Sequence, residues 1–211
     1  MPMRSRAVHK QTRILCTLIR PAFRFVFRLV PEPDPWERSE VGLNLPVFGS
    51  SDFRTYFLQP STVHVSSLDE ACEWLLSCEY HNDPDHFSDR NAWPPPSDFE
   101  SCRRGDCKGH ALWAWRKLNE LGIVAELVCG QPRWDKEEFQ SFSTTDVFFQ
   151  GHAWVQFNRN GAEYLFDPSL KDRVCMVRPF TDVRSYYQPW FAVGSDFRRY
   201  IYWGHVVFLF A

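Results

Sequence analysis

Gly151-His152-Ala153-Trp154-Val155-Gln156-Phe157-Asn158-Arg159-Asn160-Gly161-Ala162-Glu163-Tyr164-Leu165-Phe166-Asp167 reads as a β-hairpin. Two runs rich in aromatic and β-branched residues flank a polar turn, the composition of a pleated, half-buried strand pair. A four-residue turn at 158–161, or a two-residue loop at 159–160, predicts one register. It pairs Ala153 with Phe166, Val155 with Tyr164 and His152 with Asp167. Ala153, Val155 and Phe157 then share a core face with Phe166, Tyr164 and Ala162, while His152, Trp154 and Gln156 share the other with Asp167, Leu165 and Glu163. A slip of one residue would break that sorting, because side chains alternate with a period of two. Opposed side chains on a strand pair have Cβ atoms about 4.5–5.5 Å apart, within reach of a histidine–carboxylate hydrogen bond.

Upstream, Arg104-Gly105-Asp106-Cys107-Lys108-Gly109-His110-Ala111 opens a helix at Asp106 or Cys107. Ala111, Leu112, Trp115, Leu118 and Leu121 recur at helical spacing until Gly122 stops it. Cys107 therefore falls in the first turn, where backbone N–H groups have no intrahelical partner and the helix carries partial positive charge. Both favour a thiolate over a thiol. Lys108 adds positive charge, and the same N–H groups can receive an oxyanion.

Earlier, Ser67 and Glu70 have capping-box spacing before an apolar face of Leu68, Ala71, Cys72, Leu75 and Leu76. Residues 80–98 read as loop, since His81-Asn82-Asp83-Pro84-Asp85-His86 and Trp93-Pro94-Pro95-Pro96 interrupt regular structure. Ile123 to Cys129 reads as a buried strand ended by Gly130, and 131–150 as polar loop. One or two further strands are expected beyond Pro168, ending in the apolar run Val206 to Ala211. Helices first and an antiparallel sheet after them is an α+β arrangement. The expected domain is residues 67–211, with 31–66 a connecting arm (Pro31, Pro33, Pro35) and 1–30 a basic amphipathic segment broken at Pro21.

A cysteine at a helix start, then a histidine, then an acid able to orient it is the nucleophile–base–orienter logic of covalent amide chemistry. Cys107 is the expected nucleophile, His152 the base and Asp167 the orienting acid. His110, one turn after Cys107, is an alternative base, but no acid is evident to orient it. A metal reading of Cys102, Cys107, His110 and Cys129 fits no usual zinc spacing. His81, Asp83, Asp85 and His86 form a polar loop that is more simply solvated.

These blocks resemble the transglutaminase-like superfamily. Gly105-Asp106-Cys107 opens a helix, Gly151-His152-Ala153-Trp154-Val155 lies on a strand, and Phe166-Asp167-Pro168-Ser169 ends the next. The preceding helix with Tyr80, and the Trp93-Pro94 loop, look like the branch of bacterial transglutaminase-like cysteine proteinases. The resemblance covers roughly 67–170. It implies a papain-like fold, a Cys-His-Asp triad acting through a thioester, no cofactor and no metal. Many bacterial relatives carry an acid after the cysteine, where this chain has Lys108. Trp93 and Trp154 are the side chains offered for the oxyanion hole or substrate wall. The expected activity is peptide or amide hydrolysis, or transglutaminase-type acyl transfer, on a protein or peptide. The alternative is a catalytically idle fold of the same kind that binds protein.

Of 211 residues, 44% are hydrophobic and 17% aromatic, ample for a packed core. A net charge of −2 and a pI near 6.4 speak against a nucleic-acid binder. Seven cysteines at irregular spacing, with no secretory signal recognised, read as reduced thiols of a cytoplasmic protein. Arg20, Arg24 and Arg28 line one face of an otherwise Phe- and Val-rich segment within 4–30, suited to peripheral membrane contact. A helix packed on its own domain or a partner explains that pattern as simply and is preferred.

Overall fold

The computed structural model describes residues 34–41, 53–81, 93–133 and 151–203. Its helices are α1 (Phe53–Leu58), α2 (Leu68–Leu76), α3 (Pro96–Cys102), α4 (Cys107–Glu120), α5 (Arg173–Met176) and α6 (Phe180–Val183). The strands are β1 (Arg38–Val41), β2 (Glu79–Tyr80), β3 (Arg104–Gly105), β4 (Ala125–Pro132), β5 (His152–Arg159), β6 (Ala162–Phe166), β7 (Val177–Pro179), β8 (Tyr187–Val193) and β9 (Arg199–Tyr202). Seven strands form an antiparallel sheet in the order β1-β9-β8-β4-β5-β6-β7, and β2 and β3 form a small parallel pair. The fold is α+β.

The sheet is covered on both faces. Leu127, Ala153, Val155, Phe157, Phe166, Phe191 and Val193 pack against Ala111, Leu112, Trp115 and Leu118 of α4. Val128, Trp154, Leu165, Tyr187, Ala192 and Tyr202 fill the opposite face with Val183, under a cover that includes Trp36. The face sorting read from the hairpin is the one observed, but the register differs. Val155 pairs with Phe166, Phe157 with Tyr164 and Arg159 with Ala162. The turn is Asn160-Gly161, both with positive φ (56° and 79°). Two left-handed residues match the right-handed twist of a hairpin, which asparagine and glycine supply cheaply. The sequence reading placed this turn one residue early, so its pairs were off by two. A shift of two preserves every side chain's face.

Three other expectations change. The loop read over 80–98 ends at Pro96, which starts α3 because the first helical residue needs no N–H donor. β4 runs on through Gly130 to Pro132 with a bulge at Cys129/Gly130. A Cβ on Gly130 would lie 2.2 Å from the Gln188 carbonyl and 2.6 Å from the Trp154 ring, so backbone and indole crowd where only glycine fits. The stretch read as an arm joins the same fold: β1 pairs with β9, and Phe53 and Tyr56 of α1 are in the core. Residues 1–30 and the tail 204–211 lie outside the described residues, and no described helix is long and apolar enough to cross a membrane.

The predicted helix start at Ser67 holds, with Ser67 Oγ accepting the Glu70 N–H (3.1 Å). The return bond goes from Ser66 N–H to the Glu70 carboxylate (2.7 Å), one residue earlier than a capping box. A buried polar knot then ties 61–63 to the helices. Glu100 of α3 accepts from Thr62 N–H (2.7 Å), Val63 N–H (3.3 Å) and Trp113 Nε1 (2.9 Å). Lys117 of α4, 0% exposed, donates to Ser61 Oγ (2.7 Å) and the Val63 carbonyl (2.6 Å), and lies 3.8 Å from Glu100.

Candidate active site

Arg103 closes α3 in the left-handed region (φ 51°) and turns the chain into Arg104-Gly105, which pairs beside Glu79-Tyr80. Asp106 then caps α4, its carboxylate accepting from Lys108 N–H (2.9 Å) and Gly109 N–H (3.2 Å). Gly105 and Gly109 are pressed on Phe99, whose ring would come within 3.1 and 3.2 Å of a Cβ at either position. Cys107 is thus the first residue of α4, as the sequence predicted, and is 8% exposed. The Asp106 cap does not use the Cys107 N–H; Tyr80, paired with Gly105 in β2–β3, lies nearby, and burial with the Cys107 and Asp106 charges pushes its hydroxyl up.

His152 begins β5 and is 7% exposed. Its Nε2 lies 2.7 Å from Oδ2 of Asp167, and Cys107 is near enough to the same ring to favour its charged form. In the observed register Asp167 lies one step past the Val155–Phe166 pair, so its carboxylate reaches His152 diagonally rather than straight across. Burial alone would discharge the imidazole, but the Asp167 carboxylate and the Cys107 sulfur outweigh it and push His152 up to about 10.

Asp167 is fully buried and accepts at both carboxylate oxygens. Oδ2 also accepts the Tyr187 hydroxyl (2.9 Å), and Oδ1 accepts the Ser169 N–H (3.1 Å). Trp154 is fully buried, its ring 5.0 Å from Tyr187 and 6.1 Å from His152. It underlies the histidine instead of walling a substrate path. Trp93 is half-buried, edge-on to Phe53 at 5.2 Å.

His110 is engaged at both nitrogens. Nδ1 lies 2.9 Å from the Asp106 carbonyl and Nε2 2.9 Å from Lys171 Nζ, which also donates to the Leu75 carbonyl (2.8 Å). His110 therefore donates from Nδ1 and accepts at Nε2, with no free nitrogen for a thiol. Desolvation and the Lys171 charge push it down to about 3. A histidine neutral when folded and protonated when unfolded costs stability as pH falls below about 6.5. His152, raised instead, already makes its full contribution there. Stability is therefore expected to fall between pH 6.5 and 5 by up to about 1.4 kcal/mol per pH unit, and the melting temperature with it. His110→Gln, which keeps an acceptor for Lys171, should flatten that slope in a thermal-melt series. An unchanged slope would contradict a neutral buried His110.

Among the described residues no group of three or more His, Cys, Asp or Glu side chains could hold a metal ion. The described cysteines are all free thiols, and burial pushes Cys72 and Cys78 up to about 11.

No protein-family model matches the sequence, and no curated protein matches it. Among solved structures the chain is similar to calcium-bound LapG from Legionella pneumophila, at 13% identity and a TM-score of 0.45, over 68% of this chain and 72% of that one. It is also similar to a candidate cysteine protease from Cytophaga hutchinsonii, at 12% identity and a TM-score of 0.37. That match covers 71% of this chain and 57% of the other, so the chain spans little more than half of that relative.

Tyr80 and Tyr187 are the site residues that sequence reasoning missed as participants. Tyr80 was legible only as part of a resemblance. Tyr187 carried no signal, because its reach to Asp167 depends on the strand order of the sheet.

Proposed function

We propose that this protein is a cysteine-dependent amide acyl-transfer enzyme of the transglutaminase-like, papain-fold kind, acting on a peptide or protein. The observation that carries the reading is the buried His152 Nε2–Asp167 Oδ2 bond of 2.7 Å, with Cys107, the first residue of α4, close to the same ring. Cys107 Sγ, its proton already held on the charged His152 ring, attacks the substrate carbonyl carbon, and the carbonyl π pair moves onto oxygen. The Cys107 N–H, at the start of α4 and outside the Asp106 cap, is the backbone donor for that oxyanion in this reading. The tetrahedral species collapses to a thioester, and the leaving amine takes its proton from His152. Water then releases the acid; a second amine in its place would give transamidation. Asp167 holds the ring with Nε2–H inward and stabilises its charged form. Hydrolysis is the simpler outcome, since it needs no second organic substrate.

The test is a peptide-library digest followed by mass spectrometry, with and without an added primary amine, for wild type and Cys107→Ala. Cleavage or amine incorporation that vanishes in Cys107→Ala is expected. Identical product spectra for the two chains would remove the enzymatic reading and leave the binding-module alternative.

A further inference from the structure

Asp167 Oδ2 receives two donors. One is the His152 ring at 2.7 Å and the other is the Tyr187 hydroxyl at 2.9 Å. Tyr187 starts β8, two strands from β5 in the sheet order, and crosses to Asp167 over the face that Trp154 fills. Trp154 can lie there because Gly130 has no side chain at the β4 bulge. All three polar residues are buried, so water offers Asp167 no substitute for the hydroxyl.

We propose that Tyr187 is a positioning residue of the site: by sharing Oδ2 with His152 it fixes the Asp167 carboxylate and limits how strongly the imidazolium is held. This inference rests on the acyl-transfer reading above. A carboxylate oxygen that accepts two hydrogen bonds has less charge to offer each donor. Without the hydroxyl, Oδ2 serves His152 alone and the imidazolium is held more tightly. That hinders the second half of proton transfer, in which His152 must give its proton to the leaving amine. Among the described residues, Asp167 and Cys107 are charged or titratable groups that act on His152. Asp167, Cys175 and Arg178 act on Tyr187. Burial, with the Asp167 charge and hydrogen bond, pushes Tyr187 well up, so it remains a donor over the working pH range.

The experiment follows the His152 ring by NMR titration in the full chain, for wild type, Tyr187→Phe, Asp167→Asn and the double variant. Phenylalanine keeps the ring against Trp154, and a melting curve checks folding. Tyr187→Phe is expected to raise the His152 midpoint by about half to one pH unit. Asp167→Asn is expected to lower it, and adding Tyr187→Phe in that background should change nothing further, because the hydroxyl acts through the carboxylate. An unchanged or lowered midpoint in Tyr187→Phe overturns the proposal. So does an equal shift in both backgrounds, which would mark a purely structural role. Should Tyr187→Phe fold poorly, Tyr187→Met, which also lacks the hydroxyl, takes its place; should Asp167→Asn fold poorly, the sign of the Tyr187→Phe shift decides alone. A wild-type Cys107 that alkylates no faster than the other thiols would defeat the acyl-transfer reading instead, and the titration would still be readable.

Discussion

At about pH 6, iodoacetamide is expected to modify Cys107 well ahead of every other cysteine, and His152→Ala is expected to slow that reaction by about a hundredfold or more. An ordinary thiol with a pKa near 8.5 is ionised to only a few parts per thousand at that pH. A neighbouring base that takes the proton removes most of that handicap, and general-base assistance is commonly a factor of about 10²–10⁴. Cys72 and Cys78, pushed up to about 11 by burial, are poor competitors. The sign with pH follows from His152. Its charge is stabilised up to about 10, so the advantage of Cys107 should persist through neutral pH and fade as the ring discharges and ordinary thiols ionise. Asp167→Asn should slow labelling in the same direction by a smaller factor. Digestion and mass spectrometry of time points read all of this. Uniform labelling, indifferent to His152, would mean that the thiol and ring do not act as a pair.

The second large effect concerns stability. Lys117→Ala is expected to cost about 3–5 kcal/mol, measured by urea denaturation, because it removes one partner of a buried ion pair and leaves the other charged. Lys117 is 0% exposed, and its ammonium is spread over Ser61, the Val63 carbonyl, Glu120 and Glu100. Burial opposes ionisation of Glu100, but hydrogen bonds from Ser61, Thr62 and Trp113 and the charge of Lys117 outweigh it and hold the carboxyl below its ordinary value. Taking the ammonium away strands that carboxylate in the core and removes the bonds to Ser61 Oγ and the Val63 carbonyl. Adding Glu100→Gln to Lys117→Ala should recover part of the loss. A single-variant cost below about 1 kcal/mol would mean that solvent reaches the knot and screens the pair.

The local geometry of the candidate site is legible in the sequence. Gly105-Asp106-Cys107 fixes a helix start through local rules: a glycine that permits close approach to Phe99, and an acid that caps Lys108 and Gly109. The hairpin's alternation settled which residues face each side. Its register was misread because the Asn160-Gly161 turn was placed one residue early, yet period-two geometry kept His152 and Asp167 on one face. His110 looked like a rival base in sequence, since a helical i,i+3 neighbour can reach back towards Cys107. Only packing revealed that Asp106 and Lys171 occupy both its nitrogens.

The sequence by itself determined what depends on neighbours along the chain: the start of α4, the caps, the turn residues, the face of each strand and the presence of a thiol, an imidazole and a carboxyl in that order. Tertiary structure decided what depends on neighbours in space. It drew 34–41 into the sheet as an edge strand, brought Tyr187 across to share Asp167, sealed Trp154 beneath His152 at Gly130, and buried Lys117 beside Glu100. The physical reason is range. Capping, propensity and alternation act over a few residues and leave a periodic trace. A hydrogen bond between residues twenty or more apart leaves none, because its geometry is set by strand order and by which side chains the core has room to hold.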